Sequence, residues 1–428
     1  MSHNYRFDTL ALHAGAEIGE TNSRGVPLYR TSSYVFNSTR HAADLFALKE
    51  PGNIYTRMMN PTHDVLEKRM AALESGAAAL ALASGTAAIF YSVINICGHG
   101  DEVVSAGNLY GGTYTMFEAI LPELGIKVKF VNSPDPDDFE KEINERTRML
   151  FTEVIGNPVL DVANIREISK IAHKHHIPLA VDSTFTTPYL FRPLEHGADI
   201  VIHSLTKWLG GHGTGIGGIV VDKGAFDWTD KKFRLFNEPD ASYHGLRYAH
   251  DLGDLNPLAF ITRMRLVPLR NLGACISPDN AWMFLQGIET LALRMQRHCD
   301  NAMKVAQYLT DHPAVKWVRY PGLKEDPAYE MASRQFENGF GGMVVFGIKG
   351  GRESGETFIN NLNLISHLAN VGDAKSLAIH PASTTHSQLS EDQQREGGIT
   401  PDLIRISVGI EAVDDICEDL GHALDSIE

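Results

Sequence analysis

A lysine at the end of an apolar segment is the residue that most strongly suggests chemistry. Lys207 follows the run Asp199-Ile-Val-Ile-His-Ser-Leu-Thr and precedes a glycine-rich loop. If the run is a buried strand, the amine at its carboxyl end can be partly shielded from water. Lowering a lysine pKa from about 10.4 toward about 7–8, where the amine serves as nucleophile or base, requires roughly 4 kcal/mol. A Schiff base with pyridoxal phosphate would supply much of that change. The alternative is a surface lysine that follows a strand.

Two hydroxyl groups and a carboxylate accompany this lysine. Ser204 and Thr206 stand beside it in the sequence and suit the phosphate group of such a cofactor. Upstream, Asp182 ends the apolar run Pro178-Leu-Ala-Val. An ionised aspartate near a pyridine nitrogen keeps that nitrogen protonated, which makes the ring an electron sink. A helix cap or a metal ligand is the alternative for Asp182, because strand-end aspartates occur in α/β sites of many kinds.

Glycines at two places bear on anion binding. Ala83-Ser84-Gly85-Thr86 opens an apolar helix with small residues, so free amides and the positive end of the helix dipole can face a phosphate. The segment Gly213-Thr-Gly-Ile-Gly-Gly matches the GxGxxG pattern, but a dinucleotide site needs strand, glycines and helix in that order. Here the glycines lead into a strand-like run. The pattern therefore does not predict a nicotinamide cofactor.

Aromatic, amide and imidazole side chains give weaker signals. Tyr110 precedes a Gly-Gly turn, where its ring could stack on a cofactor and assist proton transfer, or pack on the core. Asn157 precedes a proline and could mark only a turn. His173, His175 and His176 fall late in a predicted helix, where they complement its dipole. No carboxylate or thiolate stands near them at the spacing of a metal site, so we expect no metal.

The surrounding pattern predicts an α/β protein. Short apolar runs alternate with helical stretches, and six runs are predicted strands: residues 102–105, 127–132, 149–154, 178–182, 199–204 and 216–221. Runs that are apolar on both faces indicate parallel strands covered by helices. Residues 1–60 are predicted to form an extended arm. Residues 61–285 are predicted to form a large domain with an ordered insertion at about 222–266, and residues 286–428 a smaller α+β domain.

Composition limits the class of protein. The 428 residues are 43% hydrophobic and 21% charged, as in folded globular chains. A formal net charge of −15 does not favour nucleic acid as a partner. The four cysteines are far apart and form no CxxC pair, which favours a reducing compartment. No stretch predicts a signal peptide or a membrane helix, so we expect a cytoplasmic protein with no membrane partner.

The combination of Lys207, Asp182, Ser84-Gly85-Thr86 and Tyr110 resembles the Cys/Met-metabolism family of pyridoxal-phosphate enzymes. The resemblance covers nearly the whole chain and implies the aspartate-aminotransferase-like fold of PLP-dependent transferases, fold type I. Within the family, the chain is most similar to the subgroup of O-acetylhomoserine sulfhydrylases. Three segments carry this likeness: residues 52–62, the Ser242-Tyr-His-Gly motif of the insertion, and residues 368–387, which include His380 and His386.

The resemblance implies how the cofactor pyridoxal 5'-phosphate would be bound. Lys207 would hold it covalently and move protons, Asp182 would pair with the pyridine nitrogen, and Tyr110 would stack on the ring. The phosphate would be held by the side chains and amides of Gly85, Thr86, Ser204 and Thr206. From the neighbouring subunit, Tyr55 and Arg57 would reach the same phosphate. The resemblance thus implies a homo-oligomer, either a dimer with shared sites or a tetramer of two such dimers.

The resemblance also implies an amino-acid substrate. Arg405 would bind its α-carboxylate through a bidentate fork that a lysine does not reproduce. Asn157 would contact the cofactor or the substrate, and Asn370 and Ser376 would line the substrate. Tyr110 or Tyr55 would assist a proton transfer. Thr86 stands where the family commonly has methionine, a difference without consequence if the backbone amide binds the phosphate.

The implied reaction is γ-replacement by a transferase of methionine biosynthesis. O-acetyl-L-homoserine and sulfide, or a small thiol such as methanethiol, would give L-homocysteine, or methionine, and acetate. The alternative is γ-elimination, as in methionine γ-lyase or cystathionine γ-lyase. Methionine γ-lyases carry cysteine at the position of Gly112 and lack the insertion, which argues against that alternative. The remaining alternatives are a non-enzymatic binding protein and a dinucleotide-dependent oxidoreductase.

Overall fold

The structure, a computed structural model, describes residues 5–384 and 398–427 and is organised around two sheets. His386 and Ser387, the end of the motif at 368–387, lie outside the described residues. The larger sheet has seven strands in the order β1-β7-β6-β5-β4-β2-β3. Their bounds are β1 Ala78–Leu82, β2 Glu102–Ala106, β3 Lys127–Val131, β4 Thr147–Glu153, β5 Leu179–Asp182, β6 Ile200–Ser204 and β7 Gly218–Asp222.

This sheet confirms the predicted α/β class. Strands β2 to β6 are parallel to one another, and β7 runs antiparallel to both β1 and β6. All six predicted strands are present. Strand β1 was not predicted, because its Ala-rich sequence merges with the following helix into one apolar stretch. The carboxyl ends of the parallel strands meet at one edge, where α/β proteins bind their ligands.

The longest helix among the described residues is Leu291–Asp311, with 21 residues. No helix in residues 5–384 or 398–427 is both long and apolar enough to cross a membrane. The α-helices are Phe7–His13, Thr39–Phe46, Pro61–Leu73, Gly85–Ile96, Gly111–Thr115, Leu121–Glu123, Asp137–Glu142, Ile165–Lys174, Thr187–Leu190, Arg234–Asn237, Ala259–Met264, Arg270–Leu272, Pro278–Glu289, Leu291–Asp311, Tyr329–Gln335, Arg352–Asn360 and Val413–Asp425. Met116–Ile120 and Arg265–Leu269 are π-helical, and Pro193–His196, Gly253–Leu258 and Pro381–Ser383 are 3-10 turns.

The amino-terminal segment is only partly extended. Helices Phe7–His13 and Thr39–Phe46 interrupt it, with 7 and 8 residues. Helices of two turns show too few repeats for periodicity to predict them. The rest of the segment consists of turns and irregular stretches, and the amide of Thr56 donates to the carbonyl of Ser32 at 2.9 Å. This hydrogen bond helps to fix the backbone of residues 55–57.

The smaller sheet confirms the predicted carboxyl-terminal α+β unit. It contains β8 Val315–Arg319, β9 Met343–Ile348, β10 Ser366–His367, β11 Leu377–Ile379 and β12 Leu403–Ser407, in the order β10-β11-β12-β9-β8. Its own core includes Phe346, Phe358 and Ile404. The helical stretch predicted from Asn280 to about His312 is two helices that meet at Thr290.

The predicted insertion at about 222–266 is ordered around aromatic rings. Trp228 stacks on Phe236 with ring centroids 4.4 Å apart, and also on Phe260 at 5.6 Å. The hydroxyl of Tyr243, in the Ser-Tyr-His-Gly motif, donates to the carbonyl of Phe46 at 2.9 Å. The insertion therefore contacts the amino-terminal segment as well as the core.

Candidate active site

Lys207 stands in the turn that follows β6, at the carboxyl edge of the larger sheet. Its Nζ donates to Oδ1 of Asn370 at 2.5 Å. Burial and, to a smaller extent, the positive charge of Arg405 together lower the pKa of this amine to about 8. The turn is fixed by Arg294, which donates to the carbonyl of Trp208 at 2.7 Å. The interpretation of Lys207 as a partly desolvated amine therefore agrees with its surroundings, and that of a surface lysine does not.

Arg405 brings a second cation to the same place from the smaller sheet. It lies on β12, and its Nη1 donates to Oδ1 of Asn157 at 3.0 Å. The pKa of Arg405 is lowered to about 10 because burial disfavours its charge, and the interaction with Tyr110 offsets part of this effect. In the described part of the chain neither Arg405 nor Lys207 forms an ion pair with a carboxylate. Partly buried cations without counter-ions indicate a site for an anionic ligand.

Two carboxyl groups occupy the strand ends next to this site. Asp182 ends β5, and its Oδ1 accepts a hydrogen bond from the amide of Thr184 at 2.9 Å. Burial raises the pKa of Asp182, while the bonds from Thr184 lower it. Glu153 ends β4 and is paired with Asp182 in the strand register. Sequence reasoning missed Glu153, although it ends an apolar run just as Asp182 does.

A tight contact beside Lys207 forms a cradle for an anion. Ser84 caps the helix Gly85–Ile96, and its Oγ accepts from the amide of Ala87 at 3.0 Å. A Cβ atom added to Gly85 would lie 2.8 Å from Cβ of Ser204, so glycine permits this approach. The first amides of the helix, at Gly85 and Thr86, have no acceptor within the helix. Amides and the Ser204 hydroxyl therefore meet at a helix amino terminus, which fits a phosphate group.

The hydroxyl of Thr206 contacts the glycine-rich loop. Its Oγ1 accepts from the amide of Gly217 at 3.1 Å. The glycines of this loop lead into β7, an antiparallel strand, rather than into a helix. The prediction that the GxGxxG match marks no dinucleotide site agrees with this geometry.

Tyr110 remains accessible at the edge of the site. Its side chain is 51% exposed, so it does not pack in the core. Its backbone amide donates to Oε1 of Glu153 at 2.7 Å. A Cβ atom on Gly112 would lie 2.7 Å from the ring atom Cε1 of Tyr110, which places the ring over that glycine.

Three predicted site residues make other contacts. The guanidinium of Arg57 lies 5.1 Å from the ring centroid of Tyr55, and no contact of either residue reaches Lys207 or Arg405 within the described chain. Nε of Arg57 is buried without a hydrogen-bond partner among the described residues. The hydroxyl of Ser376 donates to Glu411 at 3.0 Å and accepts from the amide of Gly409 at 2.9 Å. Its predicted contact with a substrate stays a prediction.

Two of the three clustered histidines have separate carboxylate partners. His173 lies 2.9 Å from Asp199, and His175 lies 2.7 Å from Glu140. Residues 5–384 and 398–427 contain no group of three or more His, Cys, Asp or Glu side chains that could hold a metal ion.

The residues at this edge fit pyridoxal phosphate. Lys207 offers an amine with a lowered pKa, Asp182 a carboxylate for the ring nitrogen, and the Gly85–Ser204 contact a cradle for the phosphate. The exposed ring of Tyr110 offers a stacking surface. Arg405 remains available for a second anion, such as an α-carboxylate.

Comparison with known proteins agrees with this fit. Residues 8–425 match the family described as "Cys/Met metabolism PLP-dependent enzyme". The chain is 54% identical to an O-acetyl-L-homoserine sulfhydrylase of Leptospira meyeri, over 100% of this chain and 98% of the relative. It is 50% identical to a homocysteine synthase of Schizosaccharomyces pombe, over 98% of each chain.

A solved structure is similar along the whole fold. It is a candidate O-acetylhomoserine (thiol)-lyase from Campylobacter jejuni that contains N'-pyridoxyl-lysine-5'-monophosphate. The TM-score is 0.94 at 41% identity, with 98% of this chain and 100% of that chain covered. The chain described here therefore belongs to the Cys/Met metabolism family of pyridoxal-phosphate-dependent enzymes.

Proposed function

We propose that the chain catalyses γ-replacement in methionine biosynthesis, in which sulfide displaces acetate from O-acetyl-L-homoserine and gives L-homocysteine. Relatives that match almost its whole length are an O-acetyl-L-homoserine sulfhydrylase and a homocysteine synthase. The structural observation that carries the proposal is the pair of partly buried cations, Lys207 and Arg405, which have no carboxylate partner in the described chain. An amino-acid substrate supplies the missing negative charge.

Arg405 is the proposed anchor of the substrate. Its planar guanidinium can bind both oxygens of an α-carboxylate, and the bond to Asn157 restricts its orientation. Fixing the carboxylate directs the rest of the amino acid toward the Lys207 amine. Asn370 and Ser376 remain proposed substrate contacts from the same part of the chain.

Lys207 is the proposed base that moves protons. With a pKa of about 8, a substantial fraction of the free amine is neutral just above neutral pH, so it can accept the α-proton. The bond to Oδ1 of Asn370 directs Nζ toward the substrate side. Pyridoxal phosphate, when bound, delocalises the negative charge that develops at the α-carbon. Asp182 would support this by keeping the ring nitrogen protonated.

The remaining proposed roles concern cofactor orientation and the γ-carbon. Tyr110 would stack on the ring, and its hydroxyl or that of Tyr55 would assist proton transfer near the leaving acetate. The amides of Gly85 and Thr86, with the hydroxyls of Ser204 and Thr206, would hold the phosphate. Gly112 permits this position of the Tyr110 ring, because a Cβ atom there would lie only 2.7 Å from Cε1 of the ring.

We also propose a homo-oligomer with shared sites, as a dimer or a tetramer of dimers. Tyr55 and Arg57 pair with each other away from Lys207 of their own chain, and Nε of Arg57 lacks a partner within the described residues. A phosphate bound by a neighbouring subunit would supply that partner.

The deciding experiment is a product assay on purified wild type and Lys207→Ala. With O-acetyl-L-homoserine and sulfide, wild type is expected to release homocysteine and acetate in equal amounts, and the variant is expected to release neither. Arg352→Ala, which removes an exposed arginine paired with Glu356, is the matched surface control. Release of 2-oxobutanoate at the same rate with and without sulfide would instead identify a γ-elimination lyase.

A further inference from the structure

Glu153 is a buried carboxyl group that the proposed reaction does not use. It ends β4 with 8% of its surface exposed, and its Cα is paired with that of Asp182 at the end of β5. Paired residues of adjacent parallel strands project to the same face of the sheet, about 5 Å apart. The amide of Val154 donates to the carbonyl of Asp182 at 3.0 Å, which fixes this register. The backbone therefore holds the two carboxyl groups side by side.

Glu153 also holds the backbone of Tyr110. Its Oε1 accepts the amide hydrogen of Tyr110 at 2.7 Å, at the start of the helix Gly111–Thr115. The ring of Tyr110 lies over Gly112, two residues after the amide that makes this hydrogen bond. The position of the ring thus depends on a backbone that Glu153 fixes. Glu153 contacts the backbone that carries the Tyr110 ring and is also paired with Asp182 at the ends of β4 and β5.

The charge balance favours a proton on Glu153. Burial, and then the adjacent Asp182, raise the pKa of Glu153 well above its usual range, and the amide of Tyr110 opposes this only in part. Burial also raises the pKa of Asp182, but hydrogen bonds from Thr184 and the electrostatic interaction with nearby His203 lower it. Two adjacent desolvated carboxyl groups resist ionising together. The anion is therefore better placed on Asp182.

We propose that Glu153 is a positioning residue, a neutral carboxylic acid that sets the Tyr110 ring and the Asp182 carboxylate relative to each other. A neutral carboxyl has an acceptor oxygen for the amide of Tyr110 and a hydroxyl donor for Asp182. This inference rests on the proposed use of Tyr110 and Asp182 for pyridoxal phosphate. It does not depend on which substrate the enzyme takes.

Two substitutions separate positioning from charge. Glu153→Gln keeps an acceptor and a donor without the acid, and Glu153→Ala removes both. The readouts are the dissociation constant of pyridoxal phosphate, titrated into cofactor-depleted protein, and the visible circular dichroism of the reloaded enzyme. We expect Ala to weaken cofactor binding by about tenfold and to reduce the dichroism, and Gln to remain within about twofold of wild type.

Glu102→Gln is the matched control. Glu102 is also a buried glutamate of the larger sheet, but it begins β2 at the opposite edge and pairs with Lys129 and Arg146. This variant is expected to lower the unfolding temperature without changing cofactor affinity. A general loss of sheet stability would affect both glutamates alike, whereas positioning affects only Glu153.

The outcomes that overturn the inference are specific. If Gln weakens cofactor binding as much as Ala, Glu153 acts as an anion; if Ala binds like wild type, it positions nothing. Should Ala fail to fold, infrared difference spectra of wild type against Glu153→Gln decide, since only wild type should show the protonated carboxyl band. If the variants bind the cofactor as expected but the wild-type protein makes no homocysteine, the proposed reaction is wrong and this inference still holds.

Discussion

The amine of Lys207 and the side-chain amide of Asn370 are joined by a hydrogen bond of 2.5 Å between Nζ and Oδ1. The two residues belong to different parts of the fold, because Lys207 follows β6 of the larger sheet and Asn370 precedes β11 of the smaller one. An amide oxygen satisfies the amine without adding a negative charge. The lysine is therefore oriented while its pKa stays low.

Removal of this acceptor is expected to slow turnover. Asn370→Ala should lower kcat/KM for O-acetyl-L-homoserine by about 10- to 100-fold, the range for a hydrogen bond to a charged group. Steady-state kinetics at saturating sulfide measure the effect. Asn363→Ala is the control, because the exposed side-chain amide of Asn363 donates to the carbonyl of Asn361 at 3.2 Å, away from Lys207. Equal kinetics for the two variants would show that the Lys207–Asn370 bond has no catalytic consequence.

The lowered pKa of Lys207 predicts the pH dependence of its reactivity. In cofactor-depleted protein, acetylation of Nζ should reach half its maximal rate near pH 8, because the neutral amine reacts and forms above its pKa. Mass spectrometry locates and quantifies the adduct. Lys68, whose pKa is raised by its bond to Asp64, is the internal reference and should react only at higher pH.

The positive charge of Arg405 contributes to the lowered pKa of Lys207, so removal of that charge should reverse part of the shift. Arg405→Gln eliminates a positive charge near Nζ, and the half-maximal pH for Lys207 should move upward toward the ordinary lysine value of about 10.4. Burial remains, so the return should be incomplete. An unchanged or lower half-maximal pH would contradict the electrostatic contact between the two cations.

Local sequence was sufficient to predict the strand ends but not their neighbours. Lys207 and Asp182 each follow an apolar run, and both lie at the carboxyl edge of the larger sheet as expected. Glu153 carries the same signal on β4. It was missed because its meaning depends on β4 lying next to β5, and strand order is a tertiary property that no local pattern contains.

The hydrogen bonds of Arg405 and Lys207 could not be predicted from local sequence patterns. The bond from Arg405 to Asn157 joins residues 248 positions apart, and that from Lys207 to Asn370 joins residues 163 positions apart. Only the resemblance to a family placed these residues in one site. Composition and periodicity predict elements, whereas such pairs join segments that are distant in sequence and lie in or next to strands of different sheets.

The close approach of Gly85 to Ser204 predicts that a larger residue at position 85 lowers both the stability of the protein and its affinity for the cofactor. Gly85→Ala would place a Cβ atom 2.8 Å from Cβ of Ser204, and we expect a loss of about 1–3 kcal/mol in unfolding free energy, as for overpacking. Pyridoxal phosphate affinity should fall as well, because the cradle widens. Gly25→Ala, with no atom within 4 Å of the added Cβ, is the control for thermal unfolding. Equal stability of both variants would contradict the contact.

Shared sites predict that two inactive variants restore activity when mixed. Lys207→Ala removes the base from its own site, whereas Arg57→Ala removes a proposed phosphate contact from the neighbour's site. Each variant alone should be nearly inactive. After equal amounts are unfolded and refolded together, about a quarter of the sites should combine an intact Lys207 with an intact Arg57, if subunits pair at random in symmetric dimers. Homocysteine formation at about that fraction of wild type is the expected result. No recovery from a mixture that has demonstrably exchanged subunits would mean that Arg57 serves its own chain.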